Sequence, residues 1–192
     1  MAKKSFLLLS IFFVCFFSVR VESADLQKNL INKLTAIKTL SFNFKQKISD
    51  KEEMGICFIK YPLLMKCNYQ NLKQKTIISN GKTVAIIKKK YKKIYRYPIK
   101  STPLFFILKK EKIINLIRKN QPIEINSNFI AFEFIDQKAN KIKVLFDKNS
   151  LEFKGWKTKD SYLNDVSFTI NNLKTNNQIV DGFFKIPKEE DL

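Results

Sequence analysis

The fold is decided by four segments between residues 55 and 108: GICFIK (55–60), KTIISNGKTVAII (75–87), IYRY (94–97) and STPLFFIL (101–108). The first three predict strands, and Asn80-Gly81 within the second predicts a hairpin with a two-residue type I′ turn. In the fourth, Thr102 followed by Pro103 predicts the start of a helix. Five large apolar residues follow Pro103, and a helix this apolar has to lie on another apolar surface. The sequence therefore predicts antiparallel strands with a hydrophobic helix laid across them.

The N-terminal residues have the pattern of a secretory signal peptide. Lys3-Lys4 precede an apolar run from Phe6 to Phe17, which suits a signal-peptide core and is too short to span a bilayer. Cleavage fits best after Ser23, with cleavage after Ala24 as the alternative, and an uncleaved anchor is the other interpretation. We expect residues 1–23 to be removed and residues 24–192 to form a single exported domain.

Two helices and a strand are predicted around the deciding segments. Asp25–Leu40 carries leucines at helical spacing and predicts the first helix. Ser41–Ile48 alternates apolar and polar residues, which is typical of a half-exposed strand. Glu111–Lys119 predicts a second short helix after the hydrophobic one.

The remainder of the chain predicts short strands separated by polar turns. Such spacing is typical of a meandering sheet or an open barrel. Gln178–Ile186 is expected to be the closing strand, and Lys188–Leu192 a frayed end. The other predicted strands are Ile123–Ile135 with a break at residues 126–128, Ile142–Phe146, Leu151–Trp156, and a strand from Tyr162 or Asp165 to Leu173.

Two cysteines, Cys57 and Cys67, remain after the predicted cleavage. A hairpin that turns near Pro62 would place them opposite one another, so they form either a disulfide or two buried thiols. Two cysteines without a single histidine disfavour a metal site.

The composition disfavours catalysis. The sequence has no histidine, which excludes Ser-His and Cys-His nucleophiles, and its four glycines form no phosphate-binding loop. No cofactor is expected, and a binding protein fits better than an enzyme.

The formal net charge of +19 raises the question of nucleic-acid binding. The lysines are spread over every segment, and the signal peptide directs the protein to a compartment without nucleic acid, so we expect no nucleic-acid partner. The run Lys88–Lys93 is interpreted as a solvated hairpin end. The alternative is a docking patch for an acidic partner or a membrane surface.

Several segments spread over nearly the whole mature chain carry a resemblance to a known family: Phe44-x-Gln46, Gly55 with Ile59 and Pro62, IISNGK (77–82), YRYPIKSTPL (95–104), GWKTKD (155–160) and DGFFKIP (181–187). They resemble the periplasmic outer-membrane lipoprotein carrier proteins (LolA-like). The resemblance implies an α+β fold, in which a strongly curved antiparallel sheet, an incomplete β-barrel, is covered by the N-terminal helix and by short lid helices after Thr102.

The same resemblance implies a soluble, monomeric periplasmic carrier that shields the acyl chains of lipoproteins in an apolar cavity during transfer from the inner to the outer membrane. The implied partners are acylated lipoproteins, an ATP-driven release complex in the inner membrane and an acceptor at the outer membrane. The alternatives are a periplasmic lipid- or signal-sensing module on the same scaffold and a basic scaffold that binds anionic polymers.

The predicted acyl-chain site consists of apolar residues from the strands and the lid: Phe42, Phe44, Leu104, Phe105, Ile107, Leu108, Ile114 and Trp156. The five apolar residues after Pro103 cannot all point one way, so the lid is expected to exchange between a closed and a ligand-bound state. Either Phe105→Glu or Leu108→Glu is expected to abolish acyl-chain binding and to destabilise the fold far less than Val144→Glu.

One position departs from the family pattern. Family members carry Arg before the proline that corresponds to Pro62, and that Arg is implied to fasten the lid. This chain has Tyr61 there, and a phenol donates one hydrogen bond where a guanidinium donates several. We expect lid locking to be weaker or arranged differently.

Overall fold

The computed structural model describes residues 25–135, 141–160 and 162–192. The predicted signal peptide lies outside these residues. Nearly half of the described residues form one antiparallel sheet of eleven strands. The strands are β1 (Thr39–Ile48), β2 (Lys51–Lys60), β3 (Leu64–Tyr69), β4 (Lys75–Asn80), β5 (Thr83–Lys88), β6 (Lys93–Pro98), β7 (Glu124–Ile125), β8 (Phe129–Ile135), β9 (Lys141–Asp147), β10 (Phe153–Lys159) and β11 (Asp165–Thr175).

In the described residues, three α-helices accompany the sheet: α1 over residues 25–36, α2 (Leu104–Leu108) and α3 (Lys110–Lys119). Short 3-10 helices cover Lys89–Tyr91, Ile99–Ser101, Asp181–Phe184 and Glu189–Asp191. Within the described ranges, no helix is both long and apolar enough to cross a membrane.

The sheet consists of two meanders joined side by side. Strands β1 to β6 form one and β7 to β11 the other, and β1 pairs with β11 to unite them. Strands β6 and β7 are therefore the two edges of the sheet. The chain passes from one edge to the other through α2 and α3. The predicted class, an α+β fold with an open, curved antiparallel sheet, is confirmed.

Alternation along the strands gives the sheet two different faces. In β1, Phe42 and Phe44 are buried whereas Asn43 and Lys45 are exposed. We call the face that carries Phe42, Phe44 and Val144 the inner face. Its buried side chains form one cluster with those of all three helices, which is the main core of the protein.

The C-terminal segment covers part of the opposite, outer face, which contradicts two predictions. Gln178–Ile186 is not a strand, because both edges of the preceding strand β11 are already paired, to β1 and to β10. Lys188–Leu192 is not frayed, because a carboxylate oxygen of Glu189 accepts a hydrogen bond of 2.9 Å from the Ile94 amide. Ile186 and Leu192 pack against a small cluster of outward residues: Ile78, Ala85, Ile87 and Ile94.

Three local predictions were wrong. The first helix ends at residue 36 rather than at Leu40, because Thr39 and Leu40 pair with β2 as the start of β1. The hairpin after β4 exists, but its loop is Gly81-Lys82 and only Gly81 has a positive φ, of 93°. The side-chain oxygen of Asn80 instead accepts hydrogen bonds from the main-chain amides of Lys82 and Thr83.

The third wrong prediction is the N-cap of α2, which is absent. The hydroxyl of Thr102 donates to the Ile99 carbonyl at 2.9 Å, and no side chain caps α2, which begins at Leu104. Thr102 closes the preceding 3-10 turn, so its side chain is already engaged when the α-helix starts.

Candidate functional site

The structure brings all eight predicted site residues into or against the core between the inner face and the helices. Six of them are buried: Phe42, Phe44, Ile107, Leu108, Ile114 and Trp156. The other two, Leu104 and Phe105, are partly buried and pack against the same cluster. The predicted residues therefore belong to one continuous apolar cluster.

A stack of aromatic rings forms the floor of this site. The Trp156 ring stacks on Phe168 with 4.0 Å between centroids, and Phe168 stacks on Phe44 at 4.8 Å. Gly55 lies against the Phe44 ring. A larger residue does not fit there, because a Cβ at position 55 would come within 2.7 Å of a ring carbon. Sequence analysis missed Phe168, whose alternation with Val166 and Ile170 along β11 is the signal that would have placed it on the inner face.

Helices α2 and α3 fill the space above this floor in the present conformation. The Phe106 ring stacks on Phe134 of β8 with 3.9 Å between centroids. On α3, Ile113 and Ile117 are buried together with Ile114. Phe106 was absent from the predicted site although it belongs to the quoted hydrophobic segment. The helices therefore occupy the apolar surface that the sequence assigns to a ligand.

Hydrogen bonds tie both ends of the helix pair to the rest of the protein. The Leu63 amide, in the turn between β2 and β3, donates to the Leu108 carbonyl at 3.0 Å. The Lys110 ammonium donates to two carbonyls at the end of α1, those of Thr35 at 3.0 Å and Ile37 at 2.6 Å. At the other end of α3, the side-chain amide of Gln27 in α1 donates to the carbonyls of Ile117 at 3.0 Å and Asn120 at 2.6 Å.

Tyr61 contributes to the junction of α1, the β2–β3 turn and the lid helices by packing rather than by a hydrogen bond from its hydroxyl. The Tyr61-Pro62 peptide is cis, and the Tyr61 side chain packs against the main core. Burial raises the pKa of the Tyr61 phenol, and burial lowers the pKa of Lys110, whose ammonium lies 5.7 Å from the Tyr61 ring centroid. Main-chain groups and Lys110 make the ties that the resemblance assigns to an arginine.

One polar pair lies within the aromatic floor. The Tyr69 hydroxyl donates to the side-chain oxygen of Gln46 at 2.7 Å. Burial, and then the nearby Glu53 carboxylate, raise the pKa of Tyr69, so its phenol stays protonated. The side-chain oxygen of the partly buried Gln46 is thereby paired.

The cover over the inner face is incomplete towards β6. Cross-strand neighbours form a row from the core to this edge: Cys67, Ile77, Ile86 and Tyr95. The exposed fraction is 3% at Cys67 and 45% at Tyr95, with Ile77 and Ile86 partly buried between them. An apolar path therefore leads from solvent at the sheet edge into the cluster beneath the helices.

Cys57 and Cys67 are joined by a disulfide in the structure. They are directly opposite in the β2–β3 pair, with Cα atoms 4.0 Å apart, and both are buried on the inner face. In the described parts of the chain, no three Cys, Asp or Glu side chains gather in a way that could hold a metal ion.

Comparison with known proteins places this geometry in a family. The family described as outer membrane lipoprotein carrier protein LolA matches residues 35–187. Outer-membrane lipoprotein carrier proteins of Francisella tularensis are similar, with 27% identity over 94% of this chain and 93% of theirs in subspecies tularensis strain WY96-3418, and 26% identity over 93% and 92% in subspecies novicida strain U112.

A solved structure, that of an uncharacterized conserved protein from Thermus thermophilus, has the same fold, with a TM-score of 0.52 and 9% identity over 86% of this chain and 95% of the other. The family match extends from α1 to the segment on the outer face, and so includes the whole sheet and both lid helices. The protein belongs to the outer membrane lipoprotein carrier (LolA) family.

Proposed function

We propose that this protein is a periplasmic carrier that takes acylated lipoproteins from an ATP-driven release complex in the inner membrane, shields their acyl chains, and surrenders them to an acceptor at the outer membrane. The observation that carries the proposal is the seating of α2 and α3, whose buried side chains are entirely apolar, on the inner face. Family membership and the names of the relatives support the same role.

The helices are suited to exchange with an acyl chain. They lie in the connection between the two edge strands, so displacing them opens the inner face without breaking a pair of neighbouring strands. An acyl chain that takes their place would contact the same phenylalanine and isoleucine walls. The hydrophobic contribution of the closed cover, roughly 25 cal/mol per Å² of apolar surface, is therefore largely replaced by that of the ligand.

A glutamate on the lid tests this exchange. Phe105 is only partly buried, and Phe105→Glu would place a carboxylate where the acyl chain has to pass. Desolvating an unpaired charge against hydrocarbon costs at least about 2 kcal/mol, so we expect affinity for a fluorescent fatty-acid probe to fall roughly 30-fold or more. The matched control is Asn115→Glu, which adds one negative charge on the exposed side of α3 and should leave probe binding unchanged.

Capture of a lipoprotein separates the carrier from other binding proteins. An acylated lipoprotein should co-purify with the wild-type protein, and the same lipoprotein without its acylated cysteine should not. Probe binding without lipoprotein capture would replace the carrier by a lipid- or signal-sensing module. Absence of probe binding would mean that the core is solid and that the helices are not a lid.

A further inference from the structure

Two loops meet at the end of the sheet away from the lid junction. They connect β3 to β4 and β5 to β6, and the Lys89 amide donates to the Gln74 carbonyl between them at 3.4 Å. We call residues 70–75 and 88–93 the basic tip. Its twelve residues contain no acidic side chain and seven lysines: Lys73, Lys75, Lys88, Lys89, Lys90, Lys92 and Lys93.

Most of this charge is not neutralised by the protein itself. Lys75 is engaged, since its ammonium pairs with Glu53 and lies 3.7 Å from the Tyr69 ring centroid. The Lys88 ammonium lies 5.0 Å from the Tyr95 ring centroid. The other five lysines are exposed and form no ion pair with a carboxylate of the described chain. The acidic C-terminal turn Glu189–Asp191 lies beside β6 on the outer face, where Glu189 accepts a hydrogen bond from the Ile94 amide.

Large apolar side chains stand among these lysines. Leu72, in the β3–β4 loop, is 89% exposed, and Tyr91, in the β5–β6 loop, is 52% exposed. A single exposed leucine would be ordinary. A leucine and a tyrosine in adjacent loops, surrounded by lysines, match the composition that anchors proteins at a membrane surface, where the rings lie at headgroup level and cations face anionic lipids.

We infer that the basic tip docks the protein on the surface of a bilayer that contains anionic phospholipid. Its charge is supplied entirely by lysine, a flexible point charge, and not by arginine, whose planar group serves defined carboxylate partners. Exposed apolar side chains at the loop tips, Leu72 and Tyr91, can also enter the headgroup region of a bilayer directly. Headgroups therefore fit this surface better than an acidic protein does.

Docking in this way would bring the open side of the acyl-chain site to the membrane. Strand β6 starts at the tip with Lys93 and carries Tyr95 two residues later, at the exposed end of the inner-face row described above. A lipid chain leaving or entering the bilayer would meet this row first. The inference rests on the proposed carrier function for its purpose, but vesicle binding can be measured without any lipoprotein.

The test is co-sedimentation with vesicles of phosphatidylcholine alone and of phosphatidylcholine mixed with phosphatidylglycerol. The wild-type protein should bind the mixed vesicles more tightly, and added salt should weaken binding. Each lysine near an anionic surface contributes about 1 kcal/mol, so the double variant Lys89→Gln/Lys90→Gln should bind roughly 30-fold less tightly. The double variant Lys82→Gln/Lys100→Gln removes equal charge from exposed positions at the opposite end of the sheet and should bind like wild type.

A second pair of variants tests the apolar contribution to vesicle binding. Leu72→Ser should lower affinity for the mixed vesicles roughly tenfold. Val180→Ser, at a 68% exposed position beside the opposite end of the sheet, should have no effect. The variants at the tip should keep wild-type affinity for the fatty-acid probe, so failure of vesicle docking is distinguishable from failure of the carrier function. Equal losses in the two lysine variants, or tight binding to polyglutamate without binding to vesicles, would overturn the inference in favour of diffuse charge or an acidic protein partner.

Discussion

The same sheet carries two covers of different character. On the inner face, α2 and α3 bury apolar side chains from Phe106 to Ile117, and their polar ties through Leu108, Lys110 and Gln27 all end on main-chain carbonyls. This cover combines a large apolar contact with main-chain hydrogen bonds at both of its ends. A hydrocarbon ligand can take the place of the apolar contact.

On the outer face, the C-terminal segment combines the buried side chain of Phe184 and the apolar contacts of Ile186 and Leu192 with directional polar bonds. Lys60 pairs with Asp181 at 2.5 Å and donates to the Ile179 carbonyl at 3.0 Å. Arg96 donates to the Pro187 carbonyl at 3.2 Å, and the Lys66 ammonium lies 4.4 Å from the Phe183 ring centroid. A hydrocarbon chain cannot reproduce these bonds.

The difference leads to an expectation about which cover an acyl chain would displace. An apolar ligand shifts a conformational equilibrium only if it interacts differently with the two states. It can do so by taking the place of the helical cover on the inner face, and it has no comparable interaction with the C-terminal one. We therefore expect acyl-chain binding to respond to changes in the lid and to ignore changes of equal strength on the outer face.

The largest expected effect concerns Leu108, the part of the lid whose displacement from the core we expect to cost the most free energy. Leu108 is fully buried and its carbonyl is bonded to the β2–β3 turn, so Leu108→Glu should lower the free energy of unfolding by about 3–5 kcal/mol, as much as Val144→Glu. The sequence alone suggested that both lid positions would tolerate charge better than the sheet does. We expect this only at Phe105. Urea denaturation of the three variants measures the difference, and an intact Leu108→Glu fold would mean that the whole of α2 is loosely held.

Much of the architecture was predictable because the strands are local and regular. Alternation in Ser41–Ile48 and the turn signals after Ile77 and Phe146 identify antiparallel neighbours without any long-range information. What failed depended on partners distant in sequence. The segment after Gln178 has the composition of a strand, but the edges of β11 are already taken by β1 and β10.

The residues of the site could be predicted from the apolar composition of the sequence, but their individual contacts could not. A run of five apolar residues after Pro103 identifies the lid, yet it does not tell which of them stacks on Phe134 or reaches solvent. The main-chain bond between Leu63 and Leu108 has no side-chain signature at all. For that reason the departure from the family's arginine at Tyr61 predicted only that lid locking is weaker or arranged differently, and it did not show that the Tyr61 side chain packs against the core.

A smaller effect is expected from removing the disulfide, which lies on the inner face under the helical cover. The double variant Cys57→Ser/Cys67→Ser opens a loop with a sequence separation of ten, so the unfolded state gains entropy and the free energy of unfolding should fall by about 3 kcal/mol. Affinity for the fatty-acid probe should change less than twofold, because β2 and β3 remain paired on both sides of the bond. A large loss of probe affinity would show that the floor, and not only the lid, rearranges on binding.

The smallest effect gives the most direct comparison of the two covers, because a lysine helps to tie each of them. The Lys110 ammonium donates to two main-chain carbonyls, and the Lys60 ammonium donates to one main-chain carbonyl and to the Asp181 carboxylate. Lys110→Met removes the bonds to Thr35 and Ile37, and Lys60→Met removes the bonds to Ile179 and Asp181. Both keep a long apolar side chain, and each should lower the free energy of unfolding by about 1 kcal/mol or less, since both ammonium groups are partly solvated. Only Lys110→Met weakens the closed lid that competes with the ligand, so its apparent affinity for the fatty-acid probe should rise about fivefold, whereas Lys60→Met should leave the affinity unchanged. Fluorescence titration measures both, and equal affinities in the two variants would mean that the closed lid does not compete with the acyl chain for the inner face.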